Sequence, residues 1–263
     1  MASESYTPAE LMVAAAAGEI RDGEVVFVGM RLPLLAFLLA KATHAPRAVG
    51  LFENGVLRDR PAAEFLVTMS DGPNVTEALW CTEMREIMAL LQRGSVDLGF
   101  IGGAQVDRFG NLNTSYIARK PGDLSQGFTR LPGSGGACDI ASLATRHILI
   151  MAHERRRFVP RVDYVTSPGY GDGAGWRERV GLPRGGSSAV ITTLAVFRFD
   201  PGSREIVLAS THPGASVEMV KGETGWPLQA ARAVSVTPPP TSDELRLIRS
   251  YDPHGFWTRG PAL

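Results

Sequence analysis

The 263 residues are 44% hydrophobic, and 27 basic side chains balance 27 acidic ones, so the chain can bury a core of ordinary size and carries no electrostatic footprint for nucleic acid or an anionic membrane. Two cysteines, Cys81 and Cys138, are too few for a disulfide framework and lack metal-ligand spacing. The longest apolar run, Leu32 to Ala40, contains Pro33 and is too short to span a bilayer, and no basic-then-apolar leader opens the chain, so a soluble cytoplasmic protein is expected.

Thr7-Pro8-Ala9-Glu10 is a capping box with proline at the first helical position, and predicts a helix through Leu11, Val13 and Ala14 to about Ile20, stopped by Asp22-Gly23. Glu24 to Met30 reads as a buried strand, and Leu32 to Thr43 as a strongly apolar helix closing before Ala45-Pro46. The next strand climbs through Val49, Leu51 and Phe52 into Glu53, and the turn pair Asn54-Gly55 follows at once. This β-α-β order predicts parallel neighbours with a right-handed crossover. It also sets a carboxylate at a strand's carboxyl end, where open α/β sheets bind their ligands. Alone, Glu-Asn-Gly is more often a solvated turn than a site.

Glu64 to Met69 has the pattern of a short strand, and Glu77 to Arg93 has helical spacing, with Leu79, Met84, Ile87, Met88 and Leu91 on one side and Gly94 as its stop. Val96 to Ile101 is a strand running into Gly102-Gly103-Ala104-Gln105. Asp107 to Asn111 forms a hairpin turn between the apolar shoulders Val106 and Leu112. After a polar connection, the Gly-rich stretch Leu131 to Ala141 precedes a helix toward His147 and a strand from Ile148 to Ala152. Glycines ahead of a helix let backbone amides approach a ligand oxygen, although this spacing fits neither a dinucleotide fingerprint nor a phosphate loop. Further strands are expected at Val162 to Ser167, Ser188 to Phe199, Ile206 to Ser210 and Val234 to Val236. Gly169 to Gly186 reads as a surface excursion, Val217 to Glu223 as a short helix and Thr241 to Ile248 as a capped one. With no repeat or linker, residues 1–263 read as a single α/β domain.

Four stretches in this order, Phe52-Glu53-Asn54-Gly55, Gly99 to Asn113, Leu131 to Ala141 and Thr166-Ser167-Pro168-Gly169, resemble the β subunit of class I coenzyme A-transferases, most nearly the glutaconate CoA-transferase type, across nearly the whole chain. The resemblance implies a mostly parallel open sheet flanked by helices, and a partner α subunit that completes the active site in a heterodimer or an α2β2 heterotetramer. It makes Glu53 the nucleophile that carries coenzyme A as a glutamyl thioester. It places oxyanion donors in the loop Gly133, Ser134, Gly135, Gly136 and Ala137, with the N–H groups of Gly135 and Gly136 foremost. Asn54, Gly55, Gly102, Gly103 and Gln105 are expected to order the site. Coenzyme A then enters as an acyl-CoA substrate, with no permanently bound cofactor and no metal, and the exchanged acid is of the kind of a short dicarboxylate such as glutaconate.

The remaining polar candidates have quieter readings. Cys138 is expected to be a small packed residue, Asp139 the N-cap of the following helix, and Asp107, Arg108 and Asn111 organisers of their loop. The five histidines lack metal spacing and read as structural. Arg31, beside a strand end and Pro33, is positioned where a substrate carboxylate could be met. Two other functions stay open: a CoA-thioester hydrolase or decarboxylase subunit on the same fold, and a non-catalytic ligand-binding subunit in which Glu53 is only a turn residue.

Overall fold

The capping box at the start of the chain forms as its residues dictate. Thr7 Oγ1 accepts from the Glu10 N–H at 3.1 Å, and the Glu10 carboxylate accepts from the Thr7 N–H at 2.7 Å. Helix α1 (Pro8–Ala17) follows. It stops short of the expected Ile20 because the chain tightens to i→i−3 bonds, from Glu19 N–H to Ala16 O and from Ile20 N–H to Ala17 O. The computed structural model describes residues 5–182 and 184–259, and falls into two units, Met1–Phe100 with Pro238–Leu263, and Ile101–Thr237. Pro183, inside the expected surface excursion, lies outside the described residues.

The first unit continues with β1 (Val25–Phe27), α2 (Leu32–Ala42), β2 (Val49–Phe52), β3 (Val56–Arg58), α3 (Gly72–Val75), β4 (Trp80–Cys81), α4 (Met84–Arg93) and β5 (Leu98–Ile101). The strand order is β5-β1-β2-β3-β4. Strand β1 is central and parallel to β2, with Phe27 opposite Leu51, and to β5, while β2, β3 and β4 form an antiparallel run. Helix α2 has no polar face and is buried from Leu32 through Lys41. Its single cation, Lys41, is satisfied by the carbonyls of Pro46 and Ala48. The C-terminal helix Ser242–Tyr251, capped by Thr241 in a second capping box, joins this unit, and Arg249 Nε donates to the buried Glu10 carboxylate at 2.8 Å.

Two expectations fail here. Residues 64–69 form no strand, because the Asp71 carboxylate draws the N–H groups of Val67 and Thr68 into a local turn. The helix expected from Glu77 begins only at Met84, since Glu77 sits at φ 57° and Trp80–Cys81 pair with Leu57 and Val56. Leu79 and Met84 are therefore exposed, while Ile87 and Leu91 reach the core.

The second unit contains β6 (Gln105–Val106), β7 (Leu112–Asn113), β8 (Tyr116–Lys120), β9 (Asp123–Arg130), α5 (Ala137–Leu143), β10 (Arg146–Met151), α6 (Trp176–Arg179), β11 (Ser187–Thr192), β12 (Ala195–Phe199), β13 (Ile206–Thr211), α7 (Val217–Gly222) and β14 (Gln229–Val236). Its sheet runs β14-β13-β12-β11-β10. The parallel pairs β10/β11 and β13/β14 each enclose a helix, as β1/β2 does, which makes the fold α/β. The hairpin β6/β7 forms as expected, with Val106 opposite Leu112. Ser188 to Phe199 is two antiparallel strands instead of one, because Thr192 Oγ1 accepts from the N–H groups of Leu194 and Ala195 and turns the chain. The polar connection before Leu131 is the ribbon β8/β9. Residues 162–167 make only a bridge, Ser167 to Leu112, because Thr166 turns its hydroxyl to the Thr114 N–H and the Ser115 hydroxyl. No helix among the described residues is long and apolar enough to cross a membrane.

Candidate active site

Strand β2 ends at Phe52, and Glu53-Asn54-Gly55 is the loop that returns the chain into β3, closed by the Gly55 N–H on Phe52 O at 3.0 Å. The turn is gripped from both sides. Thr82 N–H bonds Gly55 O at 2.8 Å, and a Cβ at position 55 would fall 2.0 Å from the Thr82 carbonyl oxygen, so the φ of 109° and the close approach both demand glycine. On the other side Asn54 Nδ2 donates to Met69 O at 2.6 Å, and Asn74 Nδ2 donates to the same oxygen at 2.7 Å.

Behind that contact stands Arg58, which is buried and donates to the carbonyls of Arg60, Pro61, Pro73, Asn74 and Thr76. These bonds fix the loop that carries Met69. Glu53 itself is half-buried, and among the described residues its carboxylate has no hydrogen bond or ion pair. Beyond the end of β1, the strand beside β2, Arg31 adopts φ 69°, ψ −129°, with its guanidinium carbon 5.9 Å from the centre of the Trp257 ring and its Nε buried without a partner.

In the second unit the pivot is Asp107. Its Oδ1 accepts from the N–H groups of Phe109 (3.0 Å) and Asn111 (3.1 Å), and both carboxylate oxygens accept from Asn111 Nδ2. Burial pushes its carboxyl above the ordinary value, opposed by those same hydrogen bonds. Asn111 in turn holds the chain at Gly169 and Gly171, accepting both N–H groups on Oδ1 and donating to Gly171 O at 2.8 Å. Gln105 joins Asn113 and Asp163 through both ends of its amide. Arg108 takes no part, reaching outward to Glu205 at 3.6 Å. Gly102 and Gly103 are packing glycines, since a Cβ there would meet Ile150 O at 3.0 Å and the Leu112 side chain at 2.8 Å respectively.

The Gly-rich loop is anchored at its entry by Leu131 N–H on Ser115 O and Gly133 N–H on Thr114 O, and at its exit by Ala137 N–H on Ser134 O. Among the described residues the N–H groups of Gly135 and Gly136 have no acceptor. Gly136 is the N-cap of α5, so Asp139 lies in the first turn instead of capping it; the helix starts earlier than expected, and the carboxylate still complements its positive end. Cys138 is half-buried, its sulfur 3.5 Å from Asp139 Oδ2.

The far end of α5 is closed by Arg177, a buried residue inside what reads in sequence as a surface excursion. It donates to the carbonyls of Ala141 and Ser142, of Gly169, and of Arg184. Nothing in the run Trp176-Arg177-Glu178-Arg179 marks this arginine from its neighbour. His147 and His153 are structural: burial drives them down to about 3 and about 4, His147 meeting the Ser187 hydroxyl at 2.7 Å and His153 stacking on Phe158 at 4.0 Å. No cluster of three or more metal-ligating side chains occurs among the described residues.

Within an α/β fold, the first unit thus carries a carboxylate at the mouth of a parallel strand, and the second a glycine-rich loop with open amides. The family model described as Coenzyme A transferase matches residues 9–223, and the chain belongs to that family. It is 38% identical to the β subunit of 3-oxoadipate CoA-transferase from Pseudomonas knackmussii over 94% of both chains, and 36% identical to the β subunit of glutaconate CoA-transferase from Acidaminococcus fermentans over 93% of this chain and 92% of that one. The crystal structure of the Acidaminococcus enzyme superposes with a TM-score of 0.88 at 32% identity, covering 98% of this chain and 99% of its own. That of the decarboxylase AibA/AibB superposes with a TM-score of 0.81 at 30% identity, covering 96% and 97%.

Proposed function

We propose that residues 1–263 act as the β subunit of a heteromeric CoA-transferase, which moves coenzyme A between an acyl-CoA and a free carboxylic acid through a glutamyl-CoA thioester on Glu53. An α subunit completes the enzyme as a heterodimer or an α2β2 heterotetramer, in the cytoplasm. The observation that carries the reading is the Glu53 turn, held at the Gly55 backbone and through the Asn54 side chain while the Glu53 carboxylate has no partner among the described residues.

The Glu53 carboxylate attacks the acyl-CoA carbonyl and expels CoA thiolate, forming a mixed anhydride. The thiolate then attacks the glutamyl carbonyl and releases the first acid, leaving the glutamyl-CoA thioester. An incoming carboxylate reverses both steps and leaves as the new acyl-CoA. A serine would give an ordinary ester and lose the acyl-transfer potential that a thioester keeps. Each step develops an oxyanion, and the donors it needs are of the kind that the second unit's loop keeps open at Gly135 and Gly136; loss of one such donor typically costs about 100- to 1000-fold in rate. Asn54 and Gly55 hold the nucleophile's turn, and Gly102, Gly103 and Gln105 shape the loops of the second unit. Two relatives named for 3-oxoadipate and glutaconate favour a dicarboxylic acid as substrate.

The likeness to a decarboxylase keeps a second chemistry in view, and one experiment separates the two. The chain, co-expressed with its α subunit, is incubated with a panel of acyl-CoAs without acceptor acid and weighed by intact-protein mass spectrometry. A CoA-sized adduct mapping to Glu53 is the expected result. Release of carbon dioxide or free CoA with no adduct would replace transfer by decarboxylation or hydrolysis.

A further inference from the structure

We infer that Arg31 is the receptor for the distal carboxylate of a dicarboxylic substrate, an inference that rests on the transferase reading above. The argument begins with the backbone. At φ 69°, ψ −129°, Arg31 occupies a conformation that glycine adopts freely and a side chain resists, and only Glu77 and Arg204 among the non-glycine residues described share a positive φ. The side chain does not compensate. Its Nε is buried without an acceptor, it forms no ion pair among the described residues, and the Trp257 ring lies at 5.9 Å, the outer range of a cation–π contact. Both features work against stability, so neither accounts for a large cation at this position.

Location supplies the account. Arg31 follows the carboxyl end of β1, and β1 pairs in parallel with β2, whose end delivers Glu53; Val28 N–H on Leu51 O carries that pairing to the edge of the strands. Two adjacent strand mouths therefore present a nucleophilic carboxylate and a guanidinium with unspent donors. The reacting carboxylate of an acceptor acid must stay nucleophilic and is poorly served by an arginine, whereas a second carboxylate at the other end of the same molecule is well matched to its planar fork. The Trp257 ring beside the guanidinium is itself fixed by Nε1 donating to Leu66 O at 3.1 Å.

The test uses the α/β complex with a CoA donor whose acyl group lacks a free carboxylate, and compares glutaconate with the monocarboxylate crotonate as acceptors. Arg31→Gly is expected to raise the KM for glutaconate about 10- to 100-fold, as loss of a charge-assisted hydrogen bond does, with KM for crotonate and for the donor within about twofold and the melting temperature unchanged or higher. Arg31→Gln, which keeps the side chain's length without its charge, should shift selectivity in the same direction, and guards against an assembly defect in the glycine variant. If both variants form the Glu53 adduct with unaltered selectivity, or if the KM of the CoA donor moves instead, the inference is overturned while the transferase reading stands. If the wild-type complex forms no adduct on Glu53, both fall together.

Discussion

Arg58 in the first unit and Arg177 in the second solve one problem in two ways. They are 2% and 4% exposed, burial pulls both below the ordinary guanidinium pKa, and among the described residues all their hydrogen bonds go to backbone carbonyls with no carboxylate among them. Arg58 draws its acceptors from one loop, residues 60 to 76, and so shapes the support for the Glu53 turn. Arg177 draws them from three separate stretches, the end of α5, the chain at Pro168 and Gly169, and Arg184. The first arrangement is local and braces the turn that carries Glu53, while the second ties distant chain together. Carbonyl dipoles suit both, because they hold a cation without offering a partner that protonates in acid.

The widest gap between the two regions should be opened by Glu53→Gln. Transfer in the α/β complex is expected to fall by more than about 1000-fold, since the nucleophile is gone, with no change in melting temperature, because the side chain holds nothing in place. Glu53→Asp should lose most activity as well, its carboxylate being withdrawn by one methylene. Appreciable transfer by the glutamine variant would remove Glu53 from the chemistry.

Next in size is the arginine pair. Arg177→Gln should cost about 3–5 kcal/mol in chemical denaturation, because it leaves buried carbonyls unpaired in three stretches. Arg58→Gln should cost less, about 2–3 kcal/mol, but should lower kcat more per unit of stability lost. Equal stability losses with equal rate losses would erase the distinction between the two clamps.

The smallest effect per residue is in acid. The buried histidines His147, His153 and His212 all lie in the second unit, whereas His44 and His254 of the first are exposed. A histidine whose folded pKa is depressed binds its proton more readily when unfolded, so its contribution is complete above about pH 6.5 and is lost as pH falls toward its folded value. With His147 near 3 and His153 near 4, each should cost about 2 kcal/mol between pH 7 and pH 5. Hydrogen exchange at pH 5, corrected for intrinsic rates, should therefore rise first in residues 101–237; a uniform rise over both units would contradict this.

What could be read from the residues was what their near neighbours decide. The capping box at Thr7, the cap at Thr241, the stop at Gly94, the hairpin between Val106 and Leu112 and the loop after Phe52 each depend on a few adjacent side chains, and each forms. The family resemblance added coenzyme A chemistry that no spacing could give. Arg58 and Arg177 were missed because their partners are peptide carbonyls, which every residue possesses and no pattern distinguishes. The helix placed at Glu77 failed for a similar reason: its apolar spacing continues through β4, and only the pairing of Trp80 with Leu57 decides against it. Arg31 was visible as a cation beside a strand end, but its positive φ and unpaired Nε were not.

The ion pair between Arg249 and Glu10 has a consequence for biosynthesis. A ribosome delivers all of residues 101–237 before it delivers the C-terminal helix that packs on α1, so the second unit can fold during translation while the first must wait for residues 242–251. The Glu53 turn thus belongs to the unit completed after the other, and a nascent chain cut before residue 242 would carry Glu53 on an unfinished scaffold.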